Sequence, residues 1–313
     1  MIMNGLQIIA TGAAHPQRSV SNEDLSKIVE TDDEWVYSRT GIHSRFFCEG
    51  EESCVSLAIN AARLALERSG LSADSIGCCI CATMSGDFAT PSVACLVQQA
   101  LELREDIPVM DLNAACSGFI YALETARGLL ADTGSYALII GVEQLSRLLD
   151  MTDRSTCVLF GDGGGAVIVK KISELPHAAI LGAKGGMDIS CRGAGYDHNY
   201  IRMDGTAVFR FAVQAIPKCI DYLLTHANLT LDDIDHVICH QANARIIDHC
   251  VRKLKADPAK FYQNMDHYGN TSAASIPLAL NELYENGLLL SGQKLLLVGF
   301  GSGLTWGGIL ISV

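Results

Sequence analysis

No apolar run in this 313-residue chain approaches the ~18–20 residues that a membrane-spanning helix needs. The opening MIMNGLQIIATG lacks both the basic stretch and the apolar core of a secretion signal, so a cytoplasmic location is expected. Charge is sparse, 19% of residues against 49% hydrophobic, which excludes a disordered, collagen-like or coiled-coil chain and leaves a well-packed globular one. Positive charge is in short supply: 23 Lys and Arg against 35 Asp and Glu leave a net −12, which repels nucleic-acid phosphates and anionic lipid surfaces. Neither nucleic acid nor membrane is expected as a partner, and an acidic partner would have to meet a local basic patch. Low-complexity segments and flexible linkers are absent as well. Cysteine, in contrast, is abundant. The twelve cysteines, scattered from Cys48 to Cys250, do not form the short, evenly spaced frame of a disulfide-stapled secreted domain and fit a reducing compartment. The length, about twice the ~150 residues of a common domain, suggests one large unit or two fused medium ones.

Short apolar runs punctuate the chain, among them IGCCICATM (76–84), YALIIGV (136–142), AVIV (166–169), HVICH (236–240) and KLLLVGF (294–300). They lack strict alternation and so read as strands buried on both faces. Between them lie helical stretches such as CVSLAINAARLALERSG (54–70), apolar every three to four positions and closed by Gly70 as a C-cap. Alternating strands and helices predict an α/β architecture around a mostly parallel sheet. A repeat is also visible: LSADSIGCCIC and LTLDDIDHVIC align at an offset of 158, Cys81 with Cys239, and Gly141 aligns with Gly299 at the same offset. This predicts a duplicated α/β unit, with halves 1–172 and 173–313 that meet where KKISELPHAA loses the strand pattern.

Three segments carry chemistry. Cys116, in DLNAACSGFIYALETARGLLAD, stands at the start of a helical pattern, where free backbone N–H groups and the helix dipole favour a thiolate. A buried cysteine that merely packs is the alternative. His240 ends a buried strand and is followed by the polar turn Gln241-Ala242-Asn243; strand ends of this kind face ligand crevices, although a hydrogen-bonded core histidine has the same pattern. Asn270, in GNTSAAS, reads as an N-cap or as a catalytic amide. GDGGGA (161–166) imitates a phosphate loop but leads into a strand rather than a helix. Cys78-Cys79-Ile80-Cys81 has a metal-like spacing, but in a strand neighbouring side chains point to opposite faces, so no metal is expected.

NAACSGF, HQAN and GNTSAAS in this order, with the ending GFGSGLTWGG (299–308), resemble the β-ketoacyl-acyl-carrier-protein synthase III family of the thiolase fold. The resemblance spans the chain, including TDDEWVYSRTGIHSR (31–45) and TDRSTCVLFGDGGGA (152–166), and implies a duplicated five-layered α-β-α-β-α architecture. It implies a decarboxylative condensation of an acyl-CoA primer with malonyl-carrier protein, without a cofactor, initiating fatty-acid synthesis in a homodimer. The implied triad is Cys116, His240 and Asn270, with an oxyanion hole made by the backbone N–H groups of Cys116 and Ser302. Ser302 stands where many relatives have glycine, and a positive φ there would strain it. Contacts to CoA fall by the same resemblance on Thr31, Trp35, Arg39, Arg154 and Asn243, and carrier docking on Arg210, Arg245, Arg252 and Lys253. The bland readings are half-buried packing for Trp35 and a solvated helix face for the basic residues. A related acyltransferase or a condensing enzyme of secondary metabolism would share Cys116 and His240. A degradative thiolase would need a second cysteine in the late glycine-rich motif, where none stands. Aligning on Pro91-Ser92 puts Thr90 at the primer gate, where some relatives carry Phe, and the smaller side chain predicts a roomier pocket. Thr90→Phe should then narrow the set of acyl-CoAs accepted in an acyl-transfer assay; an unchanged set would count against a gate at this position.

Overall fold

A computed structural model describes residues 3–130, 135–192 and 199–313. The apolar runs form strands as their composition requires, and nine of them, among the described residues, share one sheet. In spatial order these are His236–Cys239, Lys294–Gly301, Thr305–Ser312, Gly5–Ala14, Gly163–Ile172, Tyr136–Glu143, Ile76–Ala82 and Val109–Leu112, with Ala179–Ala183 beside Thr305–Ser312.

The sheet is mixed, which corrects the expectation of a mostly parallel one. Ile76–Ala82 runs parallel to Val109–Leu112 and Tyr136–Glu143, and His236–Cys239 runs parallel to Lys294–Gly301. Lys294–Gly301 and Thr305–Ser312 are antiparallel. Only residues 302–304 join them, far fewer than the dozen or more that a parallel crossover needs. GDGGGA likewise runs directly into the strand Gly163–Ile172, which lies antiparallel to both its neighbours.

Helix boundaries follow local chemistry. Ser53 and Ser56 form a capping box at the start of Cys54–Ser69, and Gly70 ends that helix in the left-handed region at φ 65°. Leu57, Ala58, Ala61, Ala62 and Ala65 of this helix are buried, the stripe that a 3.6-residue period places on one face. Three apolar cores stack through the molecule. Helices Cys54–Ser69 and Val93–Ala100 close the first, and Gly118–Leu129 and Ser275–Glu285 fill the second between the two arms of the sheet. Helices Gly205–Ala227 and Ala244–Leu254 cover the third. Helix and sheet layers therefore alternate five deep. Cys78 faces the second core while Cys79 and Cys81 face the first, so the C-x-x-C spacing does not bring its two sulfurs to one face.

The turns Ala73–Ser75 and Leu231–Asp233, and the strands Tyr136–Glu143 and Lys294–Gly301, stand at the 158-residue offset of the sequence repeat. Residue 172 ends the strand Gly163–Ile172. Residues from both sides of it share the sheet, since Gln7 pairs with Ser312.

The central packing is tight at Gly141, where an added Cβ would lie 2.2 Å from the Ala273 carbonyl oxygen. Gly141→Ala should therefore destabilise the fold by about 1–3 kcal/mol, the usual cost of overpacking, read as a lower urea midpoint. An unchanged midpoint would mean the strand and the Ser272–Ala274 turn are not held this closely.

Candidate active site

The turn Ala115–Ser117 leads into the helix Gly118–Leu129, whose first residues receive no side-chain cap. Its apolar residues, Phe119, Ile120, Ala122, Leu123 and Ala126, are buried in the central core and fix the helix, and so fix Cys116 at its head. The strand Lys294–Gly301 ends against this turn. An added Cβ on Gly301 would lie 2.7 Å from Cys116 Cβ and 3.1 Å from its sulfur, so only glycine permits the approach. The approach brings the backbone N–H of Ser302 to the Cys116 sulfur, beside the N–H of Cys116 itself. Ser302 is not among the residues with positive φ; Gly303 takes that conformation, at 131°. The strain that a serine would suffer there does not arise, and the Ser302 hydroxyl donates to the Ile189 carbonyl at 2.8 Å.

His240 follows the strand His236–Cys239, and its N–H donates to the Val298 carbonyl on the neighbouring strand at 2.8 Å. Its Nδ1 lies 2.8 Å from Ser275 Oγ. That hydroxyl also accepts from the Gln241 backbone N–H at 3.3 Å, and it has one proton that it can give to Nδ1. With that proton given to Nδ1, the imidazole carries its own on Nε2, which is then a donor. The edge of the ring meets Phe300, centroids 5.1 Å apart. Asn270 is oriented by a similar argument: its Oδ1 accepts from the Ser272 backbone N–H at 2.9 Å, which leaves Nδ2 as the free donor. Asn270 is not the N-cap that the sequence suggested: Thr271 precedes the turn Ser272–Ala274 and Ala274 the helix Ser275–Glu285, neither with a side-chain cap, and the Asn270 amide only closes a local turn onto Ser272. Cys116, His240, Asn270 and Ser302 line a single cavity of about 360 Å³.

Burial dominates the electrostatics. It pushes the Cys116 thiol up to about 12; the Ser272 hydroxyl and the two backbone N–H groups pull it down, and the nearby Glu143 carboxyl adds to the rise. Desolvation of the sulfur opposes the expected thiolate and outweighs the N–H groups around it, although Cys116 is only half-buried and stays open to the cavity. Burial also pushes His240 down to about 3, so the ring is neutral. Among the described residues no group of three or more His, Cys, Asp or Glu side chains is arranged to hold a metal ion, and no helix is long and apolar enough to cross a membrane.

Comparison with known proteins bears directly on this arrangement. Residues 110–188 match the family model "3-Oxoacyl-[acyl-carrier-protein (ACP)] synthase III", and residues 224–313 match its C-terminal counterpart. Curated relatives named beta-ketoacyl-[acyl-carrier-protein] synthase III share 44% identity in Clostridium acetobutylicum, covering 99% of both chains, and 42% in Clostridium tetani, covering 98% of both. The crystal structure of 3-oxoacyl-[acyl-carrier-protein] synthase III from Aquifex aeolicus superposes with a TM-score of 0.92 at 40% identity, covering 98% of this chain and 99% of that one. The chain belongs to the 3-oxoacyl-[acyl-carrier-protein] synthase III family. It is an acyltransferase of the thiolase fold.

The remaining residues expected from resemblance to synthase III divide into two groups. Trp35, Arg39, Arg154 and Asn243 line the same cavity as the thiol. Both guanidiniums lie over the Trp35 indole, Arg39 at 4.7 Å and Arg154 at 4.4 Å from the ring centroid. Asn243 caps the helix Ala244–Leu254 through Oδ1 and donates from Nδ2 to the Arg39 carbonyl at 3.0 Å, tying two walls together. Thr31, Thr90, Arg210, Arg245, Arg252 and Lys253 do not line it. All of these except Thr31 are exposed. The sequence reading missed Ser272, Ser275 and Glu143, which orient or surround the reactive groups. Their signal was weak, two serines in a small-residue turn and one acid at the end of an apolar strand. A neutral His240 makes one prediction for the synthase III site. Its ring nitrogens should show no titration between about pH 5 and 9 in ¹⁵N NMR, with the proton on Nε2; a transition near 6.5 would contradict the burial argument. Because the folded pKa lies below the unfolded 6.5, the neutral ring's stabilising effect is full above that pH and is lost as pH falls towards 3.

Proposed function

We propose that the protein condenses an acyl-CoA primer with malonyl-carrier protein and so initiates fatty-acid synthesis, using an acyl-Cys116 intermediate. The observation that carries this reading is the pairing of two donor sets in one cavity: two backbone N–H groups at the thiol, and the side chains of His240 and Asn270 lining the same space. The thiol attacks the thioester carbonyl, CoA leaves, and the acyl group waits on sulfur. The developing oxyanion is held by the N–H groups of Cys116 and Ser302. Malonyl-carrier protein then enters. Loss of CO₂ places negative charge on the malonyl thioester oxygen, which His240 Nε2–H and Asn270 Nδ2–H stabilise, and the carbanion attacks the acyl-Cys carbonyl. A protonated imidazole would also stabilise this enolate, but the burial that makes the ring neutral also strengthens a neutral hydrogen bond.

No cofactor enters this scheme, since the carbanion forms by decarboxylation on hydrogen-bond donors alone. Trp35, Arg39 and Arg154 suit the adenine and phosphates of CoA, by stacking and by charge, with Asn243 alongside; Thr31 is assigned to CoA by resemblance alone. Arg245, Arg252 and Lys253 on the helix Ala244–Leu254, with Arg210 on the helix packed against it, form a basic rim for an acidic carrier protein. The segment bearing Phe88 and Thr90 is exposed and reaches, on this reading, to the primer pocket of a second copy in a homodimer. Twelve free thiols favour a reducing compartment, the cytoplasm.

Intact-mass spectrometry after mixing with acyl-CoAs should show an acyl adduct on the wild type and none on Cys116→Ser. His240→Ala and Asn270→Ala should still load but condense at least ~100-fold more slowly, the usual loss when an oxyanion donor is removed. An adduct that survives in Cys116→Ser, or normal condensation by both donor variants, would overturn the reading.

A further inference from the structure

Glu143 is fully buried at the end of the strand Tyr136–Glu143, behind the cavity wall, and the reaction just described gives it no task. Its Oε2 accepts from the Ser85 hydroxyl, from the Met84 backbone N–H at 3.2 Å and from the Thr83 hydroxyl at 3.3 Å. Its Oε1 accepts from the Ser272 hydroxyl at 3.0 Å. All four partners are neutral. Burial pushes the carboxyl up to about 7, so both its forms are populated at neutral pH.

Ser272 connects this carboxyl to the sulfur. Its turn, Ser272–Ala274, packs against the turn Ala115–Ser117, and its backbone stands in the left-handed region at φ 49°, held by the bond to Asn270 Oδ1. Its side chain and the Cys116 thiol line the same cavity, and the hydroxyl pulls the thiol's pKa down. A serine hydroxyl has one proton. Given to Glu143, that proton leaves Ser272 Oγ able to accept from the Cys116 S–H, which would complete a chain from sulfur to carboxylate. The thiol needs such an outlet, because it is protonated at rest and must lose its proton to attack. His240 is poorly suited, since its ring is buried, its Nδ1 is engaged with the Ser275 hydroxyl and desolvation disfavours its protonated form.

We propose that Glu143 takes up the Cys116 proton through Ser272 as the thiol attacks, and returns it along the same path to the departing thiolate. In the forward step the S–H bond breaks, its proton passes to Ser272 Oγ, and the serine's own proton passes to Glu143 Oε1. The sulfur electron pair forms the bond to the carbonyl carbon. The departing sulfur leaves with the electron pair of the thioester bond and is protonated by the reverse relay, so the carboxylate is regenerated. Glu143 touches neither substrate nor sulfur and acts through Ser272. The assignment of the leaving group as CoA rests on the function proposed above; the relay itself does not.

Other titratable groups face this carboxyl. The thiols of Cys54, on the helix Cys54–Ser69, and of Cys81, on the adjoining strand, both feel its charge, as does Cys116. In the Met84–Asp87 loop, Asp87 pairs with Arg147, whose guanidinium also donates to the Ser85 and Gly86 carbonyls. An alternative is that Glu143 only braces these loops. The two possibilities predict opposite signs. A bracing carboxylate raises the thiol by its charge, so Glu143→Gln would make Cys116 easier to ionise and faster to alkylate.

The test is the rate of Cys116 carbamidomethylation by iodoacetamide from about pH 5 to about 9, followed by peptide mass mapping, in wild type, Glu143→Gln and Ser272→Ala. Acylation by acyl-CoA is measured on the same samples. The wild-type rate should rise through an inflection near 7, and both variants should lose that inflection and react about tenfold or more slowly at neutral pH. Variants that react as fast as wild type, or faster, or that keep the inflection, overturn the relay. Circular dichroism checks folding; if Glu143→Gln is unfolded, Ser272→Ala decides, because it leaves the other three bonds to Glu143 in place. A wild type that alkylates through the inflection but takes no acyl group from CoA would sustain the relay and reject the proposed substrate.

Discussion

The site depends on an approach that leaves no room for one β-carbon. Gly301 lies so close to Cys116 that an added Cβ would fall within 3.1 Å of the backbone N, the Cβ and the sulfur of that residue. The strand Lys294–Gly301 can therefore run its last residue against the nucleophile's turn, and every other element of the site follows from that contact. Its parallel neighbour, His236–Cys239, delivers His240 at the same sheet edge. Its antiparallel neighbour, Thr305–Ser312, returns after a three-residue link and anchors the turn through Thr305, whose hydroxyl lies 2.8 Å from Ser117 Oγ and donates to the Ala114 carbonyl at 3.0 Å. The Ser302 N–H reaches the sulfur as a consequence. Side-chain donors are set from behind by Ser275 and by the Ser272 backbone, both in the turn and helix that pack against the strand Tyr136–Glu143.

Desolvation gives this geometry its chemical character. In water at neutral pH the cysteine and most of the histidine would also be uncharged, whereas the glutamate would be fully ionised. Burial keeps the sulfur protonated, the imidazole neutral and the carboxyl balanced near neutrality. The site is thus assembled from uncharged donors that need no reorganisation when negative charge appears on a bound thioester. Preorganised donors in a low-dielectric pocket do more for a developing oxyanion than the same groups in water. The same burial disfavours loss of the thiol's proton, and the Glu143 carboxyl stands behind Ser272, from whose hydroxyl it accepts at 3.0 Å.

Much of this was written in the sequence. The Cys116, His240 and Asn270 segments each carried a structural reading as well as a catalytic one, and their order along the chain pointed to one family. The repeat at 158 residues and the C-cap at Gly70 were legible because they rest on local periodicity and on a single glycine. The strand directions were less so: alternation of strands and helices suggested parallel pairing, whereas the three-residue link after Gly301 enforces a hairpin. Thiol acidity could not be read, since helix-terminal N–H groups are a local feature and the desolvation that outweighs them comes from the whole fold. Glu143 and Ser272 are 129 positions apart, and only packing of the Ser272–Ala274 turn on the Cys116 turn makes them partners. Trp35 meets Arg154 across a similar distance, a pairing that resemblance suggested and periodicity could not.

The central claim is that the two donor sets serve two different oxygens. It is tested most directly by a crystal structure of the protein acylated at Cys116. The acyl carbonyl oxygen should lie roughly 2.7–3.1 Å from the backbone nitrogens of Cys116 and Ser302, with His240 Nε2 and Asn270 Nδ2 turned to the adjacent space where a malonyl thioester would sit. An acyl oxygen bound instead by His240 or Asn270, with the Ser302 N–H unused, would contradict the account.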